Sequence, residues 1–202
     1  ASQARLFDVV RIDHFRAFHD YWSVSAAEND ARRGHWEQGP GPEFFSAVRK
    51  RFPEMPFLAA DLGLLNAGVH RLRRETGVKI LADDICFDLI HAQELIRNEC
   101  CDVISVYPGK NGGISRSIEI LDYAQTHGIA CSIGSNLEWD IGIATMAHLV
   151  VAHENMRIEE FPGDVLGPDY YVERTVSEPI DICGPYTTIS DKTGLGVGEL
   201  LI

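Results

Sequence analysis

The longest apolar runs in this sequence are under ten residues, well short of the roughly 20 that a membrane-spanning helix needs. Basic residues are the scarcer charge, 18 Lys and Arg against 30 Asp and Glu, for a formal net charge of -12 at pH 7. That balance repels phosphate backbones and anionic headgroups, and no basic patch offsets it, which argues against general nucleic-acid or membrane-surface binding. The N-terminal stretch lacks a basic region followed by an apolar one, so no signal peptide is expected and the cytosol is the expected compartment. No CxxC occurs. Five cysteines, Cys86, Cys100, Cys101, Cys131 and Cys183, are odd in number and sit mostly in apolar segments, which predicts reduced core thiols rather than a disulfide frame or zinc site. No HxxxH pair occurs; His148 and His153 are a near miss at i, i+5, so zinc is not expected from histidine either. Internal repeats and low-complexity tracts are also absent.

What is present is a 202-residue chain that is 45% hydrophobic, enough for one sizeable globular core. It is short for a (β/α)8 barrel, for which about 250 residues is typical. Short β-branched runs alternate with longer segments of helical period, the pattern of parallel strands joined by helices. Strands are expected at 8–13, 57–62, 79–84, 102–107, 129–134 and, weaker, 157–161. Helices are expected at 14–24, 42–52, 64–76, 87–100, 114–127 and 139–153. The fold class is therefore α/β, a barrel-type array of about six βα units. An open array of that kind exposes strand edges, so it closes, dimerises through the edges, or recruits part of its tail. The segment 25–42 is polar and rich in glycine and proline, too long for an ordinary βα turn. From Gly163 onward, strand-like pieces at 179–183 and 186–190 separated by GP, DKTG and GLG turns predict a small β appendage.

Most strand candidates end in polar residues or glycine, including Asp13, Asp61, Asp83 and Lys110, and carboxyl ends of strands are where α/β folds place chemistry. Each aspartate has a plain alternative as a helix N-cap. Lys110 lies in PGKNGG, a glycine-rich turn without the GK[ST] of a phosphate loop. Glu138 opens a helix and has an alternative role at its N-terminal dipole. Trp22, Trp36 and Tyr21 are of the kind that stacks on sugar rings, with packing as the alternative.

Two resemblances sharpen these candidates. The stretch FDVVRIDHFRAFHDYW, then GHWEQGPGPEFF, then PFLAADLG resembles the 4-α-glucanotransferases over residues 3 to 74. The resemblance implies that Asp13 is a glycosyl nucleophile and that Arg11 helps hold it ionised, a chemistry that needs a second carboxyl group as acid/base. That family writes the following strand end AEDLG, whereas this chain has Ala59-Ala60-Asp61-Leu62-Gly63, with alanine at the proton donor's place. Trp22 would lie against an α-glucan.

From RLRRETGVKILADD onward, through SVYPGKNGG, IACSIGSNLEWDIG and GDVLGPDYY to GLGVGEL, residues 68 to 202 resemble the muconate-lactonizing branch of the enolase superfamily. This implies Mg2+ on Asp83, with Asp84 where the family has glutamate, an acid/base role for Lys110, and a substrate-lining Glu138 facing a small carboxylate. In that chemistry Mg2+ takes carboxylate oxygens and a lysine removes the proton beside a carboxylate. The expected organisation is a single barrel-like domain with glucanotransferase-like units in 1–74, enolase-like units in 75–162 and a β-rich tail in 163–202. Two signatures joined inside one helix near 68–77 imply a recombined or engineered chain with both parental sites incomplete. In the joint register Asp13 falls two strand ends before Asp83, so a weak Mg2+ site from Asp13 and Asp83, helped by Asp61 or Asp84, is expected. Three function classes follow: a scaffold without efficient catalysis, residual enolase-type isomerisation or cycloisomerisation, and α-glucan binding or transfer.

Overall fold

A computed structural model of the chain describes residues 5–61 and 67–201. The last residue of the strand expected at 57–62 and the first three of the helix expected at 64–76 lie outside the described residues, as does the side chain of Asp61. The chain divides into two compact units, Ala1–Ile85 and Cys86–Ile202.

The first unit opens with β1 (Val10–Ile12), a 3-10 turn at Phe15–Phe18, β2 (Asp20–Ser23), a second 3-10 turn at Ala31–Arg33 and β3 (His35–Gln38). Then follow α1 (Gly41–Arg51), β4 (Phe57–Asp61), α2 (Ala67–Thr76) and β5 (Lys79–Ala82). Strands β1, β4 and β5 are parallel neighbours in that order. The buried core joins Phe15, Phe45, Ala59, Val69, Leu72, Val78 and Ile80, with Ile12, Phe18 and Phe57 packed against it. In α2 the buried positions Val69, Leu72 and Thr76 recur at three and four, the stripe of an amphipathic helix. Thr76 keeps its buried hydroxyl satisfied by donating to the Leu72 carbonyl at 2.8 Å, and Gly77 at φ 59° ends the helix in the left-handed conformation.

The helix expected over 14–24 does not form. His14 turns left-handed at φ 53°, only Phe15–Phe18 coil as a 3-10 turn, and Asp20–Ser23 extends as β2. β2 pairs antiparallel with β3, Trp22 opposite Trp36. The cross-strand aromatic pair and its twin β-formers outweigh a local helical period, because such pairs are the unit of sheet stabilisation. The polar segment at 25–42 thus contains the tip and return strand of a hairpin.

The second unit runs α3 (Leu89–Arg97), β6 (Val103–Val106), α4 (Pro108–Asn111), α5 (Ile114–Thr126), β7 (Ala130–Ile133) and α6 (Asp140–Ala152). A 3-10 turn at Gly167–Tyr170 precedes the tail hairpin of β8 (Asp181–Cys183) and β9 (Tyr186–Thr188). β6 and β7 pair in parallel and every residue of both is buried, as expected of strands covered on both faces. No strand forms over 157–161. Only Met156 bridges to Cys131, after which the Glu160 and Phe161 amides turn back to the Arg157 carbonyl and Pro162 ends any ladder. Five of the six expected parallel strands therefore form among the described residues, three in the first unit and two in the second.

All five cysteines are free thiols; Cys86, Cys101 and Cys131 are buried, Cys100 half-buried and Cys183 exposed. Burial pushes the Cys86 thiol up to about 11, against the pull of Lys110, and raises that of Cys131 as well. No helix among the described residues is long and apolar enough to cross a membrane.

Candidate active site

In the first unit the parallel register sets Ile12 beside Ala59 and Asp61 beside Ala82, so Asp13, the end of β4 and Asp83 fall along one carboxyl edge. Side chains alternate between faces. Ile12 and Ala59 belong to the helix-covered core, which leaves Arg11, Asp13 and Ala60 for the other face. Ala60 is fully buried there; a methyl group stands where glycosyl transfer would need a proton donor. Asp13 is exposed, as is Asp84, while Asp83 is buried at 3% exposure.

The glucanotransferase resemblance pairs Arg11 with Asp13, and in the structure its ion pair is with Asp83. Its Nη2 donates to Asp83 Oδ2 in an ion pair across 72 residues of chain. Neither Asp13 nor Asp83 caps a helix. His14 stands at the cap of the first 3-10 turn, and Asp88 caps α3 by accepting from the His91 amide at 2.9 Å.

Mg2+ asks for near-octahedral oxygen ligation, and this edge does not supply it. Asp83 meets a guanidinium, and among the described residues no group of three or more His, Cys, Asp or Glu is placed to hold a metal ion. The described residues do not fit the ion.

The hairpin of β2 and β3 carries an aromatic surface. The Trp22 and Trp36 rings meet edge to face at 5.5 Å, the Arg16 guanidinium lies 4.4 Å from the Trp36 ring, and all three of Tyr21, Trp22 and Trp36 stay partly exposed. Trp22 Nε1 donates to the Ala31 carbonyl at 2.7 Å and the Tyr21 hydroxyl to Glu37 at 2.8 Å, so the rings are fixed in place rather than free to collapse.

In the second unit Lys110 leaves the carboxyl end of β6 on the short α4. Its Nζ sits 3.8 Å from the Tyr107 ring centre and 5.6 Å from that of Phe87, a cation held on aromatic faces. Asn111 orders this corner: its Oδ1 accepts from the Tyr107 amide at 2.7 Å, and its Nδ2 donates to the Cys86 and Phe87 carbonyls at 2.9 and 3.0 Å. Sequence reasoning passed over Asn111; the signal was an amide beside the lysine in a turn with two backbone strands to tie. Tyr107 in turn lies against Gly134, where a Cβ would come within 2.1 Å of the ring.

Glu138 belongs to the next strand-end loop. Its Oε2 accepts from Ser135 Oγ at 2.7 Å and from the Asn136 amide at 2.8 Å, and its Oε1 lies 3.5 Å from where a Gly109 Cβ would stand. The two loops of the second unit thereby converge, bringing the Lys110 turn and Glu138 together. Leu137 beside it holds a left-handed φ of 62°, a costly conformation for a residue with a side chain, and the Tyr171 hydroxyl pins it by donating to the Leu137 carbonyl at 2.9 Å. Gly167 packs so closely that a Cβ would lie 2.2 Å from the Glu138 carbonyl. Glu138 precedes α6 and is held by its own loop.

Parallel strands joined by helices, with polar loops at their carboxyl ends, define an α/β protein. The chain belongs to the Enolase C-terminal domain-like family, whose model matches residues 43–198. A 4-alpha-glucanotransferase family model matches residues 1–82. The 4-alpha-glucanotransferase of Streptococcus pneumoniae is 42% identical over 73 residues, 36% of this chain and 14% of that protein. The L-amino acid-D/L-Glu epimerase of Sulfurimonas denitrificans is 34% identical over 103 residues, 51% of this chain and 29% of that protein. Among solved structures, a dipeptide epimerase from Enterococcus faecalis, complexed with Mg and the dipeptide L-Leu-L-Tyr, superposes with a TM-score of 0.67 and 25% identity over 79% of this chain and 45% of that one. The chain thus spans less than half the length of each of these relatives.

Proposed function

We propose that this chain is a hybrid scaffold of barrel-type βα units that keeps the proton-transfer corner of an enolase-type site and turns over poorly. The observation that carries the reading is the seating of Lys110 on Tyr107, in a turn whose Gly109 approaches Glu138. A lysine amine at that place removes a proton from carbon next to a carboxylate and returns one from solvent, with Glu138 facing the substrate. General-base assistance of this kind contributes about 10²–10⁴-fold. The large remaining contribution of a divalent ion is missing from the reading, because the first unit's residues do not fit one. The test is deuterium uptake at the α-carbons of L-Leu-L-Tyr in D2O. Slow uptake is expected, unchanged by EDTA and falling to the solvent background in Lys110→Ala. Equal rates in the two proteins, no uptake by either, or fast Mg2+-stimulated epimerisation would each overturn the reading.

A second reading, α-glucan binding, is favoured by the exposed and fixed rings of Trp22 and Trp36. It is a binding reading only, since Ala60 occupies the place of the proton donor. Titration with maltotriose is expected to quench tryptophan fluorescence in the parent protein and not in Trp22→Ala, with no disproportionation products. An unchanged spectrum at tens of millimolar sugar removes it.

A further inference from the structure

The misfit between the strand-end carboxylates and a divalent ion has a physical cause. Asp83 is buried at 3% exposure, and a buried carboxylate is tolerated when a cation meets it. A cation that meets it is Arg11, on β1, whose side chain is 38% exposed and so reaches from the rim to the buried oxygen. Arg11 lies in the part of the chain matched by the glucanotransferase model alone, and Asp83 in the part matched by the enolase model alone. We infer that Arg11 is an internal replacement for a divalent cation: the guanidinium of one segment occupies the position opposite Asp83 and makes the carboxyl edge of the first unit metal-independent.

The alternative is an ordinary salt bridge that merely happens to involve this aspartate. The two differ in what the edge does once the guanidinium is gone. If Arg11 stands in a cation's place, its loss removes the guanidinium from a buried carboxylate, and Asp13 is on the same strand-end row to share an ion. The experiment uses the full chain and Mn2+ alone as probe, with thermal unfolding and Mn2+ electron paramagnetic resonance as readouts. The parent protein is expected to show no Mn2+ binding up to about 1 mM and no change in Tm with Mn2+ or EDTA. Arg11→Ala is expected to lower Tm by roughly 5–10 °C, the size of effect that losing a buried pair has in a chain of this length. Added Mn2+ should then raise the Tm of R11A and bind it about tenfold more tightly than the double variant R11A/D83N, in which the carboxylate charge is gone. Arg11→Lys, which keeps the charge, should stay blind to Mn2+.

Three results overturn the inference. Mn2+ stabilisation of the parent protein that D83N abolishes would show that the ion reaches Asp83 past Arg11. An R11A variant as stable as the parent would show that the pair matters little. A destabilised R11A that gains no Mn2+ response over R11A/D83N would reduce the pair to a salt bridge. These readouts are independent of catalysis, so they stand apart from the dipeptide-exchange test of the second unit.

Discussion

Asp140→Ala is expected to destabilise the second unit by about 3–5 kcal/mol, the range for removing one partner of a buried charge pair. Asp140 is fully buried at the first position of α6. Its carboxylate accepts from Arg174 Nη1 at 3.0 Å, the Thr175 amide at 2.7 Å and Thr175 Oγ1 at 3.0 Å, so three donors converge on two oxygens. Alanine leaves those donors without their acceptor in a dry place, and it also removes a negative charge from the helix N-terminus, which contributes about 0.3–1 kcal/mol by itself. Arg174 retains a longer contact to Asp169 at 3.4 Å, which does nothing for Thr175. Asn at this position keeps one acceptor oxygen and should cost roughly half as much. Urea unfolding measures the loss, and limited proteolysis locates it: cleavage should appear first between residues 163 and 202. A loss below about 1 kcal/mol would mean that the tail is held by something other than this carboxylate.

The second large effect is expected from Phe15→Ala, again about 3–5 kcal/mol, the usual range for truncating a buried aromatic ring. Phe15 is fully buried, with its ring 5.5 Å from Phe45 and 6.4 Å from Phe18. The neighbouring Phe44, 39% exposed, is the control; its truncation should cost about 1 kcal/mol or less. Because the cluster around Phe15 includes Val78 and Ile80 beside the residues of α1 and β4, the loss should loosen β5 as well as β1. Amide exchange in Lys79–Ala82 faster in the variant is the expected sign, and protection unchanged there while β1 frays would contradict a shared core.

Much of the architecture was legible because it rests on local period. α1, α5 and α6 fall within a residue or two of the expected bounds, as do the four strands β4 to β7. The hairpin of β2 and β3 was not legible, since its stabilising pair joins Trp22 to a residue fourteen positions away and the intervening polar stretch carries no period. The Arg11–Asp83 pair was hidden for a similar reason. Charge complementarity over 72 residues leaves no local mark, and motif comparison directed attention from Arg11 to its near neighbour Asp13. In the second unit Lys110 and Glu138 were readable from their motifs, whereas Asn111 and Gly134, which hold Tyr107 in place, become meaningful only when the loops are seen together.

The buried stripe of α2 has a wider consequence. Val69 and Leu72 pack in one cluster with Phe15 and Phe45 from before the helix and Val78 and Ile80 from after it, so α2 ties the strands on either side of it into one core. What an exchange of βα modules has to preserve is then the phase of one helix and a small residue such as Ala59 facing it, rather than similarity of the exchanged sequences. A helix of this kind leaves the folding unit undivided, and the strand ends on either side of it meet through the charges of Arg11 and Asp83.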